Sequence, residues 1–565
     1  MKKLFGFILL GSSFVSQLCA LEFGSMGNTS AAMGGAGVAL KHSAWGLYYN
    51  PALLSSDPKV KLGYSLGVGL REQNLAKLTT IDINNMTDTA ERLIATFSGA
   101  GTGSVPNAGT ITNIIKEGLQ TALNGSSTGD IQQDLEQYLQ QHPDGNYGDL
   151  ISGILGAIQK PNNGLTPEQQ GLLGNIAGNI DFGSLEFDKL RNSGAGSVVK
   201  SFRSNGTQSA ANAIKSLLTI TIKKGGDKGL DKAVEDISTM QEILKDNNLN
   251  IVSQNGVILQ ISSKTMNEKL GSLGVAYFAS AYSSMSINAD SNRMRLIINS
   301  GNSYYELVDK GDSFSFKASD KTSYEKYSLI ASLEGGSDAH KLVTTALMLS
   351  EVPIGYARTF YLKHGNLNLG ITGKLMNAIS TQKQININTS TNFQKELTHL
   401  ASLEHTISSN NFGVDVGVLY ELDLPEFRYL TIGLVAKNLN SPTFESSLNN
   451  ITIKPQYRMG LGYNSKFLNV AFDADLTPND LLAFSNVKQQ SQMIGGGVGF
   501  GFKALDLRLG AMKDLRQDTG LILTGGVNML GFLDIALQVS TKTTELNGTP
   551  IPQYINLRLG GSFSF

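Results

Sequence analysis

The chain has 565 residues, a formal net charge of -1 and a mean hydropathy of -0.07. This length is too great for one ordinary domain unless that domain is a large barrel, and the balanced charge argues against a nucleic-acid partner held by phosphate contacts. Hydrophobic residues make up 41% of the chain, which suits a soluble protein and equally a membrane barrel whose strands alternate between two faces. No stretch reaches about 18 consecutive apolar residues, so transmembrane helices are not expected.

The first 20 residues predict a secretory signal. Lys2 and Lys3 precede an apolar run at 4–15, and Ala20 is a small residue at the expected cleavage point. The only cysteine, Cys19, would leave with the signal, so the exported chain would carry no disulfide. These features predict export to the periplasm, the outer membrane or the cell surface.

Residues 21–54 are rich in glycine, with Gly34, Gly35 and Gly37 close together, and they contain an Asn50-Pro51 turn. Glycines at this density allow tight and irregular backbone. A phosphate-binding loop would need a different glycine spacing and a preceding strand. The composition therefore predicts a compact N-terminal segment without a nucleotide site.

Two runs in this segment, 33–39 (MGGAGVA) and 43–53 (SAWGLYYNPAL), resemble the N-terminus of the FadL/TodX transporters of long-chain fatty acids and hydrocarbons. In that family the region forms a hatch that plugs the barrel lumen, and Asn50, Pro51 and Ala52 match its turn. The resemblance implies a fourteen-stranded outer-membrane barrel that takes up hydrophobic molecules and releases them sideways into the membrane.

Within this superfamily, 435–444 (VAKNLNSPTF) and 472–477 (FDADLT) are similar to the TraF-like outer-membrane proteins of plasmid-transfer operons. The likeness covers about 21–72 and 340–565, and the middle of the chain departs from it. It implies a second hypothesis, an envelope component linked to conjugal transfer.

The first predicted strand is Val60 to Leu70, where apolar residues alternate with small and polar ones. Between about 75 and 248 the alternation disappears, and apolar residues take helical spacing at 110–123, 131–139, 150–158, 169–180, 210–222 and 230–244. We expect a helical, partly flexible insertion on the outer side, because long loops of such barrels face outward.

Alternation returns at 251–263 and 270–286 and then persists from 367 to the end of the chain. Polar residues such as Asp415, Asp473, Arg508 and Asp534 recur between outward apolar positions. A closed barrel accommodates all of these strands without an exposed edge. The predicted fold class is therefore an all-β transmembrane barrel of about fourteen antiparallel strands, with an N-terminal hatch and an α-helical insertion after the first strand.

The last strand, 553–565, ends on an apolar-face aromatic. Arg558, Gly560, Phe563 and Phe565 resemble the C-terminal signal by which the barrel assembly machinery recognises its clients. We expect these four residues to act as that signal.

No catalytic constellation, cofactor site or metal site is predicted, and the protein is not expected to be an enzyme. Glu404 and His405 after His399 would be the best metal candidates, but a solvated loop explains them. Asp473, Asp475, Asp506 and Arg508 could form a charged ladder in the lumen, or simply wet the interior. Trp45, Tyr48 and Tyr49 could line a substrate path or pack the hatch against the wall.

The predicted parts are a cleaved signal (1–20), a hatch (21–56), a barrel (57–72 and 249–565) and the insertion (73–248). The favoured function is passive uptake of fatty acids or hydrocarbons across the outer membrane of a Gram-negative bacterium. The alternatives are the conjugal-transfer component and a surface adhesin acting through the insertion. The expected partners are membrane lipid, the assembly machinery and a hydrophobic ligand, and the insertion's own protein partner is unknown.

Overall fold

A computed structural model describes residues 21–102, 108–142, 148–161, 163–165, 170, 221–225, 227–245, 247–300, 303–334, 337–388, 391, 406–482, 489–502, 504–546 and 548–565. Fourteen strands, each hydrogen-bonded to its two neighbours in chain order, close into an antiparallel barrel. They are β1 (Lys61–Gln73), β2 (Asn248–Ile261), β3 (Ser272–Ala289), β4 (His340–Leu362), β5 (Gly365–Asn386), β6 (Ile407–Leu424), β7 (Arg428–Lys437), β8 (Gln456–Asn464), β9 (Leu468–Asp475), β10 (Met493–Gly501), β11 (Leu505–Asp514), β12 (Leu521–Met529), β13 (Leu533–Ser540) and β14 (Tyr554–Ser564).

The alternation in sequence sets the two faces of this wall, because successive strand residues point to opposite sides. In β9 the side chain of Phe472 is exposed on the outside, whereas those of Asp473 and Asp475 are buried inside. Apolar outward positions recur around the barrel, as at Ile354 and Leu509. An apolar exterior around a polar interior is the design of an outer-membrane barrel, so the predicted fold class is confirmed.

One end of the barrel carries short connections, and the other carries long ones. Short turns mark the periplasmic end of such barrels. An exposed aromatic side chain lies at or next to five short turns and at the C-terminus, which is the girdle expected at a membrane interface; these residues are Tyr361, Phe427, Phe467, Phe502, Phe532 and Phe565.

Three short helices precede the barrel, namely α1 (Asn28–Ala32), α2 (Gly46–Tyr49) and α3 (Leu53–Ser56). Nearly every residue of 21–56 is buried, and the helices contact β3, β4, β5 and β11 to β14 from the inside. We call residues 21–56 the hatch.

Above the outer end of the barrel, the insertion contributes a 3₁₀ helix (Leu75–Thr80) and five helices: α4 (Ile83–Thr102), α5 (Ala108–Ala122), α6 (Ile131–Gln141), α7 (Gly148–Gln159) and α8 (Lys228–Lys245). Four of the predicted helical stretches coincide with α5 to α8, but α4 was not predicted. Of the predicted helix at 169–180 the structure describes only Gln170. Of the predicted helix at 210–222 it describes only Thr221 and Ile222, which lie in a strand, so that prediction is wrong at its end.

Helices α4 and α8 pack with a four-stranded sheet whose strands, in spatial order, are Thr221–Lys223, Ser313–Ser319, Ser303–Asp309 and Ile297–Ser300. Their shared apolar core includes Met86, Leu230, Phe314 and Leu342. We call this unit the cap. Three further short helices lie in the connections around β3, namely α9 (Lys264–Lys269), α10 (Lys321–Tyr327) and α11 (Leu329–Leu333).

Three small hairpins decorate the outer loops: Thr443–Phe444 with Ile451–Thr452, Asn479–Asp480 with Gln490–Ser491, and Thr543–Leu546 with Thr549–Pro552. The first two loops fold inward, where Phe444, Ile451 and Leu482 pack with Leu21 at the top of the hatch. The outer mouth is therefore covered by the barrel's own loops as well as by the cap.

Among the described helices, none combines the length and the apolar character needed to cross a membrane. The predicted signal segment (1–20), His399 and the Glu404-His405 pair lie outside the described residues. Within the described ranges, no three His, Cys, Asp or Glu side chains form a group that could hold a metal ion.

The terminal aromatic offers a test of the assembly signal. The Phe565 ring is 78% exposed, so Phe565→Ala removes little packing. If the C-terminal segment is the assembly signal, this variant should lower the yield of barrel in outer-membrane fractions several-fold while leaving its thermal unfolding within about 0.5 kcal/mol of wild type. Heat-modifiable mobility on gels measures both the yield of folded barrel and its thermal unfolding. Phe502→Ala, which is exposed at another periplasmic turn, is the control, and equal losses in the two variants would contradict a signal role for Phe565.

Candidate functional site

The candidate site is the lumen, where the hatch meets the barrel wall. The predicted turn residue Asn50 is completely buried. Its Nδ2 donates hydrogen bonds to the carbonyl oxygens of Val38 (3.1 Å) in the hatch and Val418 (3.0 Å) in β6, and its Oδ1 accepts one from the Ala52 amide (3.0 Å). One side chain therefore closes the turn and fixes it to the barrel.

Two wall glycines make room for this turn. A Cβ atom at Gly417 would collide with the Asn50 side chain, and one at Gly370 would collide with the backbone of Pro51 and Ala52. The turn can approach the wall this closely because neither strand position carries a side chain.

The predicted glycines of the hatch also lie in close contacts. Gly34 and Gly35 have φ angles of +66° and +77°, which favour glycine. The Gly34 amide donates to Thr524 Oγ1 (3.0 Å). The Gly37 amide donates to Asp473 Oδ2 (2.8 Å), and a Cβ at Gly37 would collide with the ring of Tyr49.

Further polar contacts come from the same part of the wall. Gln538 Nε2 donates to the Ala31 carbonyl (2.8 Å), Thr431 Oγ1 donates to the Ala39 carbonyl (2.7 Å), and Lys41 pairs with Glu421. Strands β6 to β14 thus form a polar wall that satisfies hatch backbone groups along much of its length.

The predicted charged ladder is a set of separate pairs. Arg458 pairs with Asp475 (2.6 Å), and Arg508 pairs with Asp534 (2.8 Å) and Asp506 (3.2 Å). Asp473 instead accepts hydrogen bonds from the hatch. These charges neutralise one another within the lumen, so they hold structure more than they line an open ion path.

Where the hatch meets β1, Asp57 lies 3.0 Å from Lys61 Nζ and 3.2 Å from His42 Nδ1. Burial alone would raise the pKa of Asp57, but His42 and Lys61 outweigh it and hold that pKa well below its ordinary value. The carboxylate therefore stays ionised above about pH 4. Its stabilising effect would be lost only as the pH falls through the lowered pKa.

The three predicted hatch aromatics lie together on the opposite side. Trp45 and Tyr48 contact Phe278 of β3, with ring centroids 6.4 and 5.4 Å apart, and Tyr49 contacts Tyr48 at 5.1 Å. Phe23 completes the cluster, and Lys437 Nζ lies 3.7 Å from the centroid of the Tyr48 ring. The structure packs Trp45 and Tyr48 against the wall and Tyr49 against Tyr48.

The wall that faces these aromatics is less polar than the rest. Strands β2, β3 and β4 direct several apolar side chains inward, where they are buried; they include Ile258, Ala276, Phe278, Tyr282, Leu347 and Ala357. We call this part the apolar wall. The apolar wall contacts the hatch rings through aromatic and aliphatic groups, and its hydrogen bonds to the hatch include those from Gln260 and Thr359 to the Leu54 and Ser55 carbonyl groups.

The apolar wall is bordered by two gaps in the backbone pairing. Pairing of β1 with β2 stops at Ser65 with Gly256 and resumes at Val68 with Ser253. Pairing of β3 with β4 stops at Val275 with Ile354 and resumes at Phe278 with Glu351. By contrast β2 and β3 pair without a break. We call the β1–β2 gap the seam.

Pro353 explains the β3–β4 gap, because proline has no N–H to give to a ladder. The sequence analysis predicted neither gap, and it predicted no strand at His340–Leu362, where Pro353 lies.

Two cavities lie above and below the hatch. The outer cavity holds about 50 Å³, and the periplasmic cavity holds about 320 Å³. The outer cavity is lined by Leu21, Glu22, Ser25, Gly69, Leu70, Arg71, Asn250, Val252, Gln254, Tyr282, Leu481, Leu482, Tyr554, Asn556 and Arg558. The hatch separates the two cavities, so the lumen is closed to bulk flow in this structure.

The four residues of the predicted assembly signal lie in different surroundings. Phe565 is exposed at the periplasmic rim, and Phe563 is paired with Leu62 of β1. A Cβ at Gly560 would collide with the Tyr64 carbonyl oxygen and crowd Asn28 of the hatch. Arg558 points into the lumen and is 1% exposed, so its side chain also belongs to the candidate site.

Comparison with known proteins gives one family. The family described as "F plasmid transfer operon, TraF, protein" matches residues 186–475, just over half of the chain. No curated protein matches. Among solved structures, the Ralstonia pickettii toluene transporter TbuX is similar over 95% of this chain and 98% of its own, at 10% identity and a TM-score of 0.37. A TodX deletion mutant, a monoaromatic hydrocarbon channel, is similar over 95% and 97%, at 9% identity and a TM-score of 0.35.

The contacts of Asn50 predict a specific effect on closure. Asn50→Ala removes three buried hydrogen bonds, and it leaves the Val38 carbonyl without its Asn50 donor at a cost of about 1–3 kcal/mol. We expect the hatch to loosen and single-channel conductance in planar bilayers to rise, while the barrel stays heat-modifiable on gels.

Asn410→Ala is the matched control for this test. Asn410 lies on the same strand as Val418 but is exposed at the outer end, where it accepts one bond from Asn377. Loss of the Asn410 side chain should leave the single-channel conductance unchanged. Wild-type conductance in Asn50→Ala would show that the turn does not hold the hatch.

Proposed function

The chain belongs to the family described as the F plasmid transfer operon TraF protein, and we propose that it is an outer-membrane channel for passive passage of hydrophobic small molecules. Fatty acids and hydrocarbons are the substrate classes of this proposal. The family description names an operon and no chemistry, so the proposal rests on the lumen.

The observation that carries the proposal is the position of the apolar wall beside gaps in the barrel. Side chains of Ile258 and Phe278 face the lumen next to strand segments that lack backbone partners on one side. A hydrophobic molecule gains free energy along such a surface, since each buried CH₂ contributes about 0.8 kcal/mol. A gap in the wall beside it offers a short way into lipid.

The entry side of this path begins in the cap. A pocket there of about 20 Å³ is lined almost wholly by apolar side chains, among them Leu78, Met240, Ile287 and Ile387. Below it, Phe444 and Leu482 cover the mouth together with Leu21. In the proposed route a molecule binds in the cap, passes the inward loops, and reaches the outer cavity.

The exit follows the apolar wall to the seam. Here Trp45, Tyr48 and Tyr49 are proposed to form the hatch side of the path, because Trp45 and Tyr48 contact Phe278 and Tyr49 packs against Tyr48. The polar wall would hold the remainder of the hatch in place. Passage therefore needs movement of the β2–β3 pair or of the aromatic part of the hatch, and no water-filled pore has to open.

The two alternatives stay predictions. A role in conjugal transfer has the family description in its favour, and no contact among the described residues adds to it. A surface adhesin would act through the insertion, in which α4 and α8 pack into the cap core around Met86 and Leu230 while α5, α6 and α7 pack against one another. Neither alternative explains an apolar wall inside the barrel.

Uptake by liposomes tests the function. Vesicles containing the protein should take up a labelled long-chain fatty acid or toluene faster than empty vesicles. The reason is that the apolar wall would lead these molecules past the polar surface of the membrane. A small hydrophilic dye should stay outside, because the hatch closes the lumen. Uptake of neither hydrophobic probe by a correctly folded barrel would contradict the proposal, and dye leakage would indicate an open pore instead.

A disulfide across the seam tests the exit. Val68 and Ser253 face each other in the first pair above the gap, where opposed Cβ atoms lie about 4.5–5.5 Å apart. The double variant Val68→Cys/Ser253→Cys should lose most hydrophobic uptake when oxidised and regain it on reduction. Because Cys19 is the only natural cysteine and lies in the predicted signal, other pairings do not interfere.

The control staple is Leu523→Cys/Val539→Cys, which joins an opposed pair on the continuous β12–β13 ladder. This variant also forms a disulfide on the lipid face, but away from the seam. Uptake should therefore not depend on whether that disulfide is oxidised or reduced. Loss of uptake in both oxidised variants would mean that any stapling blocks transport, and unchanged uptake in the first would exclude the seam as the exit.

A further inference from the structure

Arg558 is the most deeply buried arginine of the lumen, and its position depends on a glycine. It is paired with Gly67 in the β14–β1 register, and a Cβ at Gly67 would collide with its Nη1. The guanidinium therefore reaches across β1 to the seam. There Nη2 donates to the Gln254 carbonyl oxygen of β2 (2.7 Å), and Nε donates to Ser65 Oγ (3.1 Å).

This contact occupies one of the groups that the seam leaves unpaired. Gln254 and Asn255 of β2 lie opposite the unpaired part of β1. Asn255 Oδ1 accepts the Gly67 amide (3.1 Å), and the Arg558 guanidinium caps the Gln254 carbonyl. Two side-chain contacts therefore replace the missing ladder bonds, and one of them carries a positive charge.

That charge lacks an anionic partner. The other three buried arginines each pair with a carboxylate within 4.0 Å, namely Arg71 with Glu22 and Asp514, Arg458 with Asp475, and Arg508 with Asp534. Within the described part of the chain, Arg558 has no carboxylate at that distance, and its third partner is the Met26 sulfur at 3.5 Å. An unpaired buried charge is strongly disfavoured, so this site is incomplete as it stands.

The guanidinium lines the outer cavity, together with Tyr282, Tyr554 and Asn556. Val252, Tyr282 and Leu482 line the same cavity, and Tyr282 and Leu482 belong to the apolar cluster that covers the mouth. The lining of the outer cavity thus combines Arg558, the paired charges of Glu22 and Arg71, and apolar side chains, and Arg558 is the cation there that has no carboxylate partner among the residues that the structure describes. This arrangement fits an amphipathic molecule with an anionic head and an apolar tail.

We propose that Arg558 binds the carboxylate head of an amphipathic ligand in the outer cavity, and that this draws its guanidinium away from the Gln254 carbonyl and loosens the seam. The inference rests on the proposed function and adds to it the residue that distinguishes carboxylates from neutral hydrophobes. Arginine binds a carboxylate through two parallel N–H donors, which a backbone carbonyl cannot match. Ligand binding and opening of the wall would then use the same side chain.

The test compares laurate with dodecanol, which has the same chain and no charge. The purified protein in a non-ionic detergent is titrated with each, and the fluorescence of Trp45, the only tryptophan, reports changes at the hatch. Wild type should bind laurate about tenfold more tightly than dodecanol, as expected for a charge-assisted pair. Arg558→Gln should lose this preference while binding dodecanol unchanged, and Arg558→Lys should keep part of it.

Two variants separate this role from a structural one. Gly67→Ala displaces the guanidinium without altering the C-terminal segment, so it should reduce the laurate preference even if Arg558→Gln assembles poorly. The matched control, Arg508→Gln/Asp534→Asn, removes a buried arginine together with its partner and should retain the full preference. Laurate, and not dodecanol, should also lower the yield of the Val68→Cys/Ser253→Cys cross-link several-fold.

The outcomes distinguish the two proposals. Equal affinity of wild type for laurate and dodecanol, with both taken up by vesicles, would overturn the role of Arg558 and leave the channel function standing. Undiminished laurate preference in folded Arg558→Gln would overturn it as well. Binding and uptake of neither compound would overturn both proposals.

Discussion

A polypeptide segment folded inside a barrel must find partners for its backbone groups in the barrel wall, because little water reaches it. This constraint organises the lumen. Asn50 and Gly34 of the hatch, and Asp473 and Gln538 of the wall, are used for such bonds. Most of these wall partners come from β6 to β14, although Gln260 of β2 and Thr359 of β4 also donate to carbonyl groups near the end of the hatch. The side formed by β2 to β4 presents apolar side chains.

That asymmetry links structure to transport. Where the wall binds the hatch, each buried donor or acceptor that lost its partner would cost about 1–3 kcal/mol. Where β2 and β3 face the hatch rings, a hydrophobic molecule can replace one apolar contact with another at little cost. The gaps on both sides of the β2–β3 pair lie at this surface. The easiest movement in the lumen is therefore expected beside the apolar wall.

The barrel could be predicted from sequence because alternation is a local property of each strand. The strand count followed from it, whereas four insertion helices followed from apolar residues at helical spacing. Helix α4 was missed, although Ile83, Met86, Ala90 and Leu93 recur at helical spacing and are buried in the cap.

The site could be predicted only in part. Resemblance gave the Asn50 turn, but its acceptor, Val418, lies 368 residues further along the chain, and no local pattern predicts that contact. The sequence predicted Arg558 only as part of the C-terminal assembly signal. Its place at the seam follows from its register with Gly67. Register between β1 and β14 is fixed by barrel closure, which a single sequence does not state. The gap at Pro353 could not be predicted either, because the alternation used to predict strands was not found at His340–Leu362.

The central claim is that hydrophobic molecules travel along the apolar wall between the β2–β3 pair and the hatch. The most direct measurement is a crystal structure with a fatty acid brominated at its terminal carbon, in which anomalous scattering locates the tail. The account predicts a bromine peak within the lumen, near Phe278 and Ile258. Peaks confined to the outer lipid-facing band or to the periplasmic cavity would contradict it.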